Sequence, residues 1–211
     1  MKALILNCTL KPSPAASNTE ALSNVLAAEW TADGIASETV RLVDLDIKPG
    51  VTSDEGQGDA WPDVREKIAA AEILVIATPT WMGQMSSVAK RALERMDAFF
   101  SATDDQGRTI TMGKVAGVVI TGNEDGAHHI VGTVSQQVLI DVGFTVPGPS
   151  WTYWHLALAP APTTSIPRSR TTIPTGSDET RRATSPGPPG RWPARPRRGR
   201  RRDHSRGVTS R

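Results

Sequence analysis

The stretch "LILNCTLKPSPAASNTEALSNVL" (residues 4–26) decides the fold. It continues "KALILN" (2–7), a short unbroken apolar run of the kind a strand shows when both of its faces are buried. From residue 17 the pattern becomes helical: in "SNTEALSNVLAAEWTA" (17–32), Leu22, Val25, Leu26 and Trp30 fall on one side. Between the two lies a loop of small, hydroxylated and amide side chains with few charges. Connections of this kind usually take about 2–6 residues, so this one is long for a plain turn.

Further along the chain the alternation repeats. "ASETVRLVDL" (36–45) reads as a second strand and "PGVTSDEGQGDAWP" (49–62) as a loop. A helix over "WPDVREKIAAAE" (61–72) leads into a third buried strand, "ILVIATP" (73–79). "SSVAKRALERMDAFF" (86–100) has Val88, Ala92, Met96 and Phe99 or Phe100 at helical spacing. "KVAGVVIT" (114–121) predicts a fourth strand, and "HHIVGTVSQQVLIDVG" (128–143) a helix capped at Gly143. "FTVPGPSW" (144–151) is expected as the fifth strand. Five strands alternating with four helices predict a parallel α/β sheet covered on both faces, and the doubly wound flavodoxin-like order 2-1-3-4-5 suits five strands. Ligands of such sheets sit beyond the carboxyl ends of the strands.

Composition bounds the rest. The 211 residues suffice for one domain with a sizeable core. The net charge of +2 hides an asymmetry: residues 155–211 hold 13 Arg, no Lys and 3 acids, hence +10, and the other 154 residues hold 11 bases and 19 acids, hence −8. A single cysteine, Cys8, excludes an internal disulfide and fits a reducing cytoplasm. "MKALILNC" turns polar too soon for a secretory signal, and no apolar run approaches the ~20 residues of a membrane span.

The unusual residues fall just after strands 1, 3 and 4. In the first loop a helix N-terminus offers unpaired amides and the positive end of a dipole. Thr9, Ser13, Ser17, Asn18 and Thr19 add side-chain donors, and Lys11 adds a cation. This combination suits a phosphate. GxxxxGK[ST] and GxGxxG are both absent, which argues against an ATP-type loop and a dinucleotide pyrophosphate. The plainer reading is that Ser17 or Asn18 only caps the helix. In "TPTWMGQMSS" (78–87), Trp81 and Met82 stand where exposure is expected, suited to a flat aromatic ligand, or else to packing at a neighbouring loop or subunit. In "TGNEDGAHH" (121–129), two glycines free the backbone to meet a polar ring edge, or else the segment is a turn with Asp125 as N-cap. The adjacent His128 and His129 point different ways on a helix and do not form a metal site. A phosphate, a ring system and a polar ring edge together describe flavin mononucleotide.

"LNCTLKPSPAASNTEAL", "ATPTWMGQMSSVAKRALERMD", "TGNEDGAHH" and "GFTVPGPSWTYW" resemble the NADPH-dependent FMN reductase branch of the flavodoxin-like superfamily, over about residues 1–154. The resemblance implies that Thr9, Lys11, Ser17, Asn18 and Thr19 surround the FMN phosphate. It implies Pro79, Thr80, Trp81, Met82 and Gly83 beside the ribityl chain and isoalloxazine, and Thr121, Gly122, Asn123 and Gly126 on the far side of the ring. It implies hydride transfer from NADPH or NADH to flavin, then electron transfer to a quinone, flavin or other small acceptor, with no catalytic acid or base required. It also implies a homo-oligomer. The first loop departs from the family in lacking the arginine often found there.

Residues 155–211 are rich in Pro, Arg, Gly, Ser and Thr and predict a disordered tail in place of the last helix. Such a composition is what GC-rich DNA yields in a shifted frame, and a frameshift near residue 155 is the expectation. The competing reading is a polyanion-binding arm, but no nucleic-acid motif accompanies the arginines. The leading expectation is an FMN-binding NAD(P)H-dependent oxidoreductase. Its competitors are a flavodoxin-type electron carrier without a nicotinamide site and a non-enzymatic module with a polyanion-binding tail.

Overall fold

A computed structural model describes residues 1–155. The expected tail lies outside the described residues from residue 156 onward. Strands β1 (Lys2–Asn7), β2 (Ala36–Arg41), β3 (Ile73–Trp81), β5 (Val115–Gly122) and β6 (Trp151–His155) form a parallel sheet in the order β2-β1-β3-β5-β6. A two-residue strand, β4 (Gln84–Met85), folds back antiparallel on the end of β3. Counting only the parallel strands, this is the expected 2-1-3-4-5 order.

Helices α2 (Trp61–Ala70), α3 (Ser87–Arg95) and α4 (Ala127–Val131) share one face of the sheet, and α1 (Asn18–Ala32) packs on the other. Helix α1 forms because Ser17 caps it, its Oγ accepting from the Glu20 amide at 3.2 Å. Leu22, Leu26 and Trp30 recur every four residues and are buried against Ala3, Ile5, Val75 and Val119 of the sheet. Each such burial contributes roughly 1.5–3 kcal/mol. In the α3 segment Phe99 is buried and Phe100 is 52% exposed, so Phe99 is the core residue of the pair.

Several boundaries differ from the sequence reading. β2 stops at Arg41, and Leu42–Asp44 tighten into a 3-10 turn. Helix α3 gives way to 3-10 geometry over Met96–Ser101. Helix α4 widens into π-helical turns over Gly132–Leu139 before Gly143, in the left-handed region (φ 101°), ends it. There the Gly143 amide donates to Ile140 O and the Phe144 amide to Leu139 O, the paired bonds of a glycine-terminated helix. The last strand is Trp151–His155 rather than 144–151. Thr145 makes one isolated parallel bridge to Val115 of β5, but Pro147 and Pro149 lack the amides a ladder needs and the Ser150 amide closes a turn on Pro147 O, so continuous pairing with β5 begins at Trp151.

The loop ahead of α2 is held by a buried ion pair. Arg95 of α3 meets Asp59 at 2.7 Å with both side chains fully buried, and also donates to Lys48 O and Thr52 O. The Lys48, Glu55 and Trp61 amides donate to the same carboxylate. Burial raises the Asp59 pKa, but the Arg95 bond and the three amides outweigh it and hold the carboxyl below its usual range. Among the described residues no helix is long and apolar enough to cross a membrane.

Candidate functional site

Parallel strands bring three loops to one rim. After β1, the Asn7 side chain accepts from the Thr9 amide (3.1 Å), and the Thr9 hydroxyl accepts from the Lys11 amide (3.3 Å), which folds the first part of the loop. At its far end the amides of Ser17, Asn18 and Thr19 have no acceptor among the described residues, as expected at a helix start. The Lys11 ammonium rests on Ala16 O at 3.2 Å. Ser13 corrects one expectation: its amide and hydroxyl both donate to Asp44 (2.8 and 2.6 Å), so it is turned away from the other donors.

The second loop is the β3–β4 hairpin. It leaves Trp81 54% exposed and Met82 89% exposed. Met82 has a left-handed backbone (φ 53°), unusual outside glycine, and Gly83 follows at φ 73°. The Met82 amide is held by the Glu124 carboxylate of the third loop at 2.9 Å. Glu124 is fixed in turn, since the Tyr153 hydroxyl donates to its backbone carbonyl at 2.7 Å. Burial first, then the nearby Asp125 and Glu124 charges, push the Tyr153 pKa up and keep it a donor. Gly126 packs directly on Gly83: a Cβ there would lie 2.7 Å from Gly83 Cα and O.

Between the loops is a cavity of about 230 Å³. Eleven of the fourteen residues expected at the site line it: Thr9, Lys11, Ser17, Asn18 and Thr19 from the first loop, Pro79, Thr80 and Trp81 from the second, and Thr121, Gly122 and Asn123 from the third. Met82, Gly83 and Gly126 do not line it; they fasten the second loop to the third. Leu10, which also lines the cavity, and Tyr153, which braces it, escape the sequence reading; Glu124, one of the hydrogen-bonding residues of the third loop, braces it as well. Glu124 stood in the right loop, but nothing in its type marks a carboxylate that will accept from an amide 42 residues away. Tyr153 is the single tyrosine of the chain, a signal that could have been used.

A phosphorylated flavin suits these residues on two structural observations. The buried Thr80 hydroxyl oxygen has no hydrogen-bond partner, although Thr80 lines the cavity. Gly122 packs against that side chain, and a Cβ there would fall 2.9 Å from Thr80 Cβ and 3.0 Å from its Oγ1, so the glycine is what leaves Thr80 in place at the cavity wall. Cys8, just below the first loop, is fully buried; burial pushes its thiol pKa up, and its Sγ faces Leu6 O, so it is no nucleophile. His129 hydrogen-bonds Gln84 at 2.9 Å, and His128 lies edge-on to Trp151. Among the described residues no group of three His, Cys, Asp or Glu side chains is arranged to hold a metal ion.

A doubly wound parallel sheet with its cavity at the strands' carboxyl ends defines the chain as a flavodoxin-like α/β protein, and it aligns with a Streptococcus pneumoniae TIGR4 flavodoxin at a TM-score of 0.51 over 76% of this chain and 88% of that one, at 17% identity. The chain belongs to the NADPH-dependent FMN reductase family, whose model matches residues 1–157. Among curated proteins it is 38% identical over 172 residues to the 8-demethyl-8-aminoriboflavin-5'-phosphate synthase of Streptomyces davaonensis. That match covers 77% of this chain and 65% of the synthase's length. A crystal structure of RosB with the bound intermediate OHC-RP (8-demethyl-8-formylriboflavin-5'-phosphate) is similar at 37% identity and a TM-score of 0.68, covering 77% of this chain and 68% of that one.

Proposed function

We propose that the chain is an FMN-binding, NAD(P)H-dependent oxidoreductase that passes electrons from the nicotinamide to a quinone, a flavin or another small acceptor. The observation that carries this reading is the convergence of Thr19, Trp81 and Asn123, from three separate loops, on one cavity. The chemistry supplied by the flavin is uptake of a hydride from NAD(P)H and its delivery as electrons. In this reading the amides of Ser17, Asn18 and Thr19, with Thr9 and Lys11, hold the phosphate. Pro79, Thr80 and Trp81 border the ribityl chain and the ring, while Thr121, Gly122 and Asn123 take the ring's far side. Met82, Gly83 and Gly126 keep that ring slot in shape.

The cavity is smaller than the roughly 300–1,000 Å³ of sites that enclose a whole ligand. The ring end therefore extends over the exposed Trp81 and Met82, where a second copy of the chain would cover it. Residues 1–154 form the FMN-binding unit in this proposal.

The test is an absorbance spectrum of the purified full-length chain with and without FMN, followed by anaerobic NADPH or NADH. Uptake of FMN and rapid bleaching without any partner enzyme are expected. A colourless protein that takes up no FMN would overturn the proposal, and FMN uptake without bleaching would favour an electron carrier. A second reading, favoured by the similarity to a riboflavin-phosphate synthase, makes the flavin phosphate a substrate. Mass spectrometry of the flavin after turnover separates the two: an unchanged FMN mass belongs to the oxidoreductase.

A further inference from the structure

We propose that Arg41 is a positioning residue for the phosphate loop, acting from behind it, an inference that rests on the proposed FMN site. Arg41 closes β2 opposite Asn7, the residue that closes β1, so its side chain starts beside the root of the loop. It does not line the cavity. Its side chain is only 7% exposed. One terminal nitrogen donates to both Lys11 O (3.3 Å) and Ala15 O (2.9 Å), and the other pairs with the Glu20 carboxylate.

These contacts matter for an anion in two ways. A trans peptide is planar, so a carbonyl and the amide that follows it point in opposite directions. Drawing Ala15 O toward Arg41 turns the Ala16 amide away from the guanidinium, and the amides of Ala16, Ser17, Asn18 and Thr19 have no acceptor among the described residues. The same bonds keep the carbonyl oxygens of Lys11 and Ala15, which would repel a phosphate, fixed on the far side. The second effect is on charge. Glu20 lies in the first turn of α1, where its carboxylate would oppose a bound anion, and Arg41 offsets it. The arginine missing from the loop sequence is thus supplied from the neighbouring strand, as a brace rather than as a ligand.

The experiment compares FMN and riboflavin, which differ only in the phosphate, by fluorescence titration of the full-length chain and its variants. If the wild-type chain does not prefer FMN to riboflavin, the phosphate assignment itself fails. If it does, Arg41→Gln is expected to weaken FMN by about 10- to 100-fold, the scale of charge-assisted hydrogen bonds, and to leave riboflavin unchanged. Arg41→Lys, which keeps the charge without the fork, is expected to lie between the two and serves alone should the glutamine variant fail to fold. An unchanged FMN-to-riboflavin ratio in Arg41→Lys and in any folded Arg41→Gln overturns the proposal, as does an equal loss of both ligands. Glu20→Gln combined with Arg41→Gln is expected to stay weak. Recovery of FMN binding in that double variant would show that Arg41 only cancels a charge, and would overturn its orienting role.

Discussion

The Thr19 hydroxyl, in the first turn of α1, lies 2.9 Å from the Thr121 hydroxyl near the end of β5, 102 residues further along, with both residues buried. This bond ties the first loop to the third across the sheet. Thr19→Val or Thr121→Val alone leaves a buried hydroxyl without its partner and should cost about 1–3 kcal/mol, whereas the double replacement should cost less than the two singles together. Urea unfolding of the three variants checks this, and strictly additive losses would refute it.

Gly126 and Gly34 make a matched pair for testing how the second and third loops meet. Both have left-handed backbones, but a Cβ on Gly34 would touch nothing within 4 Å, while one on Gly126 would strike Gly83. Gly34→Ala should cost about 1 kcal/mol of conformational strain. Gly126→Ala should cost clearly more and also weaken flavin binding by displacing the hairpin that carries Trp81. Thermal unfolding and FMN titration read the two effects.

Trp81 is expected to serve binding rather than folding. At 54% exposure its removal opens no core cavity, so Trp81→Ala should unfold within about 0.5 kcal/mol of the parent. Aromatic contacts contribute about 0.5–1.5 kcal/mol beyond burial, so FMN affinity should fall by roughly 2- to 10-fold. Much of the tryptophan quenching caused by FMN should vanish with it.

The Arg95–Asp59 pair should make the fold acid-sensitive. The Asp59 carboxyl is depressed in the folded state, so its stabilisation is present in full above the unfolded value near pH 4 and is lost as pH falls toward the folded pKa. Asp59→Asn leaves a buried guanidinium uncompensated and should cost about 3–5 kcal/mol at pH 7. The gap between parent and variant should narrow between pH 4 and pH 2 in urea unfolding. A constant gap would contradict the assignment.

Cys8 should resist thiol reagents in the native state and react only on unfolding, because it is fully buried with its pKa raised. Cys8→Ala should retain FMN binding, which would separate the first loop's role from any thiol chemistry. Labelling with a chromogenic disulfide, with and without denaturant, decides it.

The sequence by itself determined the sheet, its order and most of the cavity. Apolar runs such as Ile73–Ala77 declare buried strands because every residue in them must avoid water, and parallel crossovers leave few orders to choose from. Loop residues after β1, β3 and β5 were legible for a related reason: once the strands are parallel, their carboxyl ends share one rim.

Only the tertiary structure decided which of those residues face the cavity and what holds them there. Ser13 turns to Asp44, Met82 is fixed by Glu124, Gly126 meets Gly83, and Arg41 crosses behind the first loop. These partners lie between 26 and 43 residues apart in the chain. The late start of β6 belongs with them, set by which amides could reach β5. Hydrophobic periodicity is a local property written along the chain, but a hydrogen bond or a close backbone contact exists only when two distant segments meet.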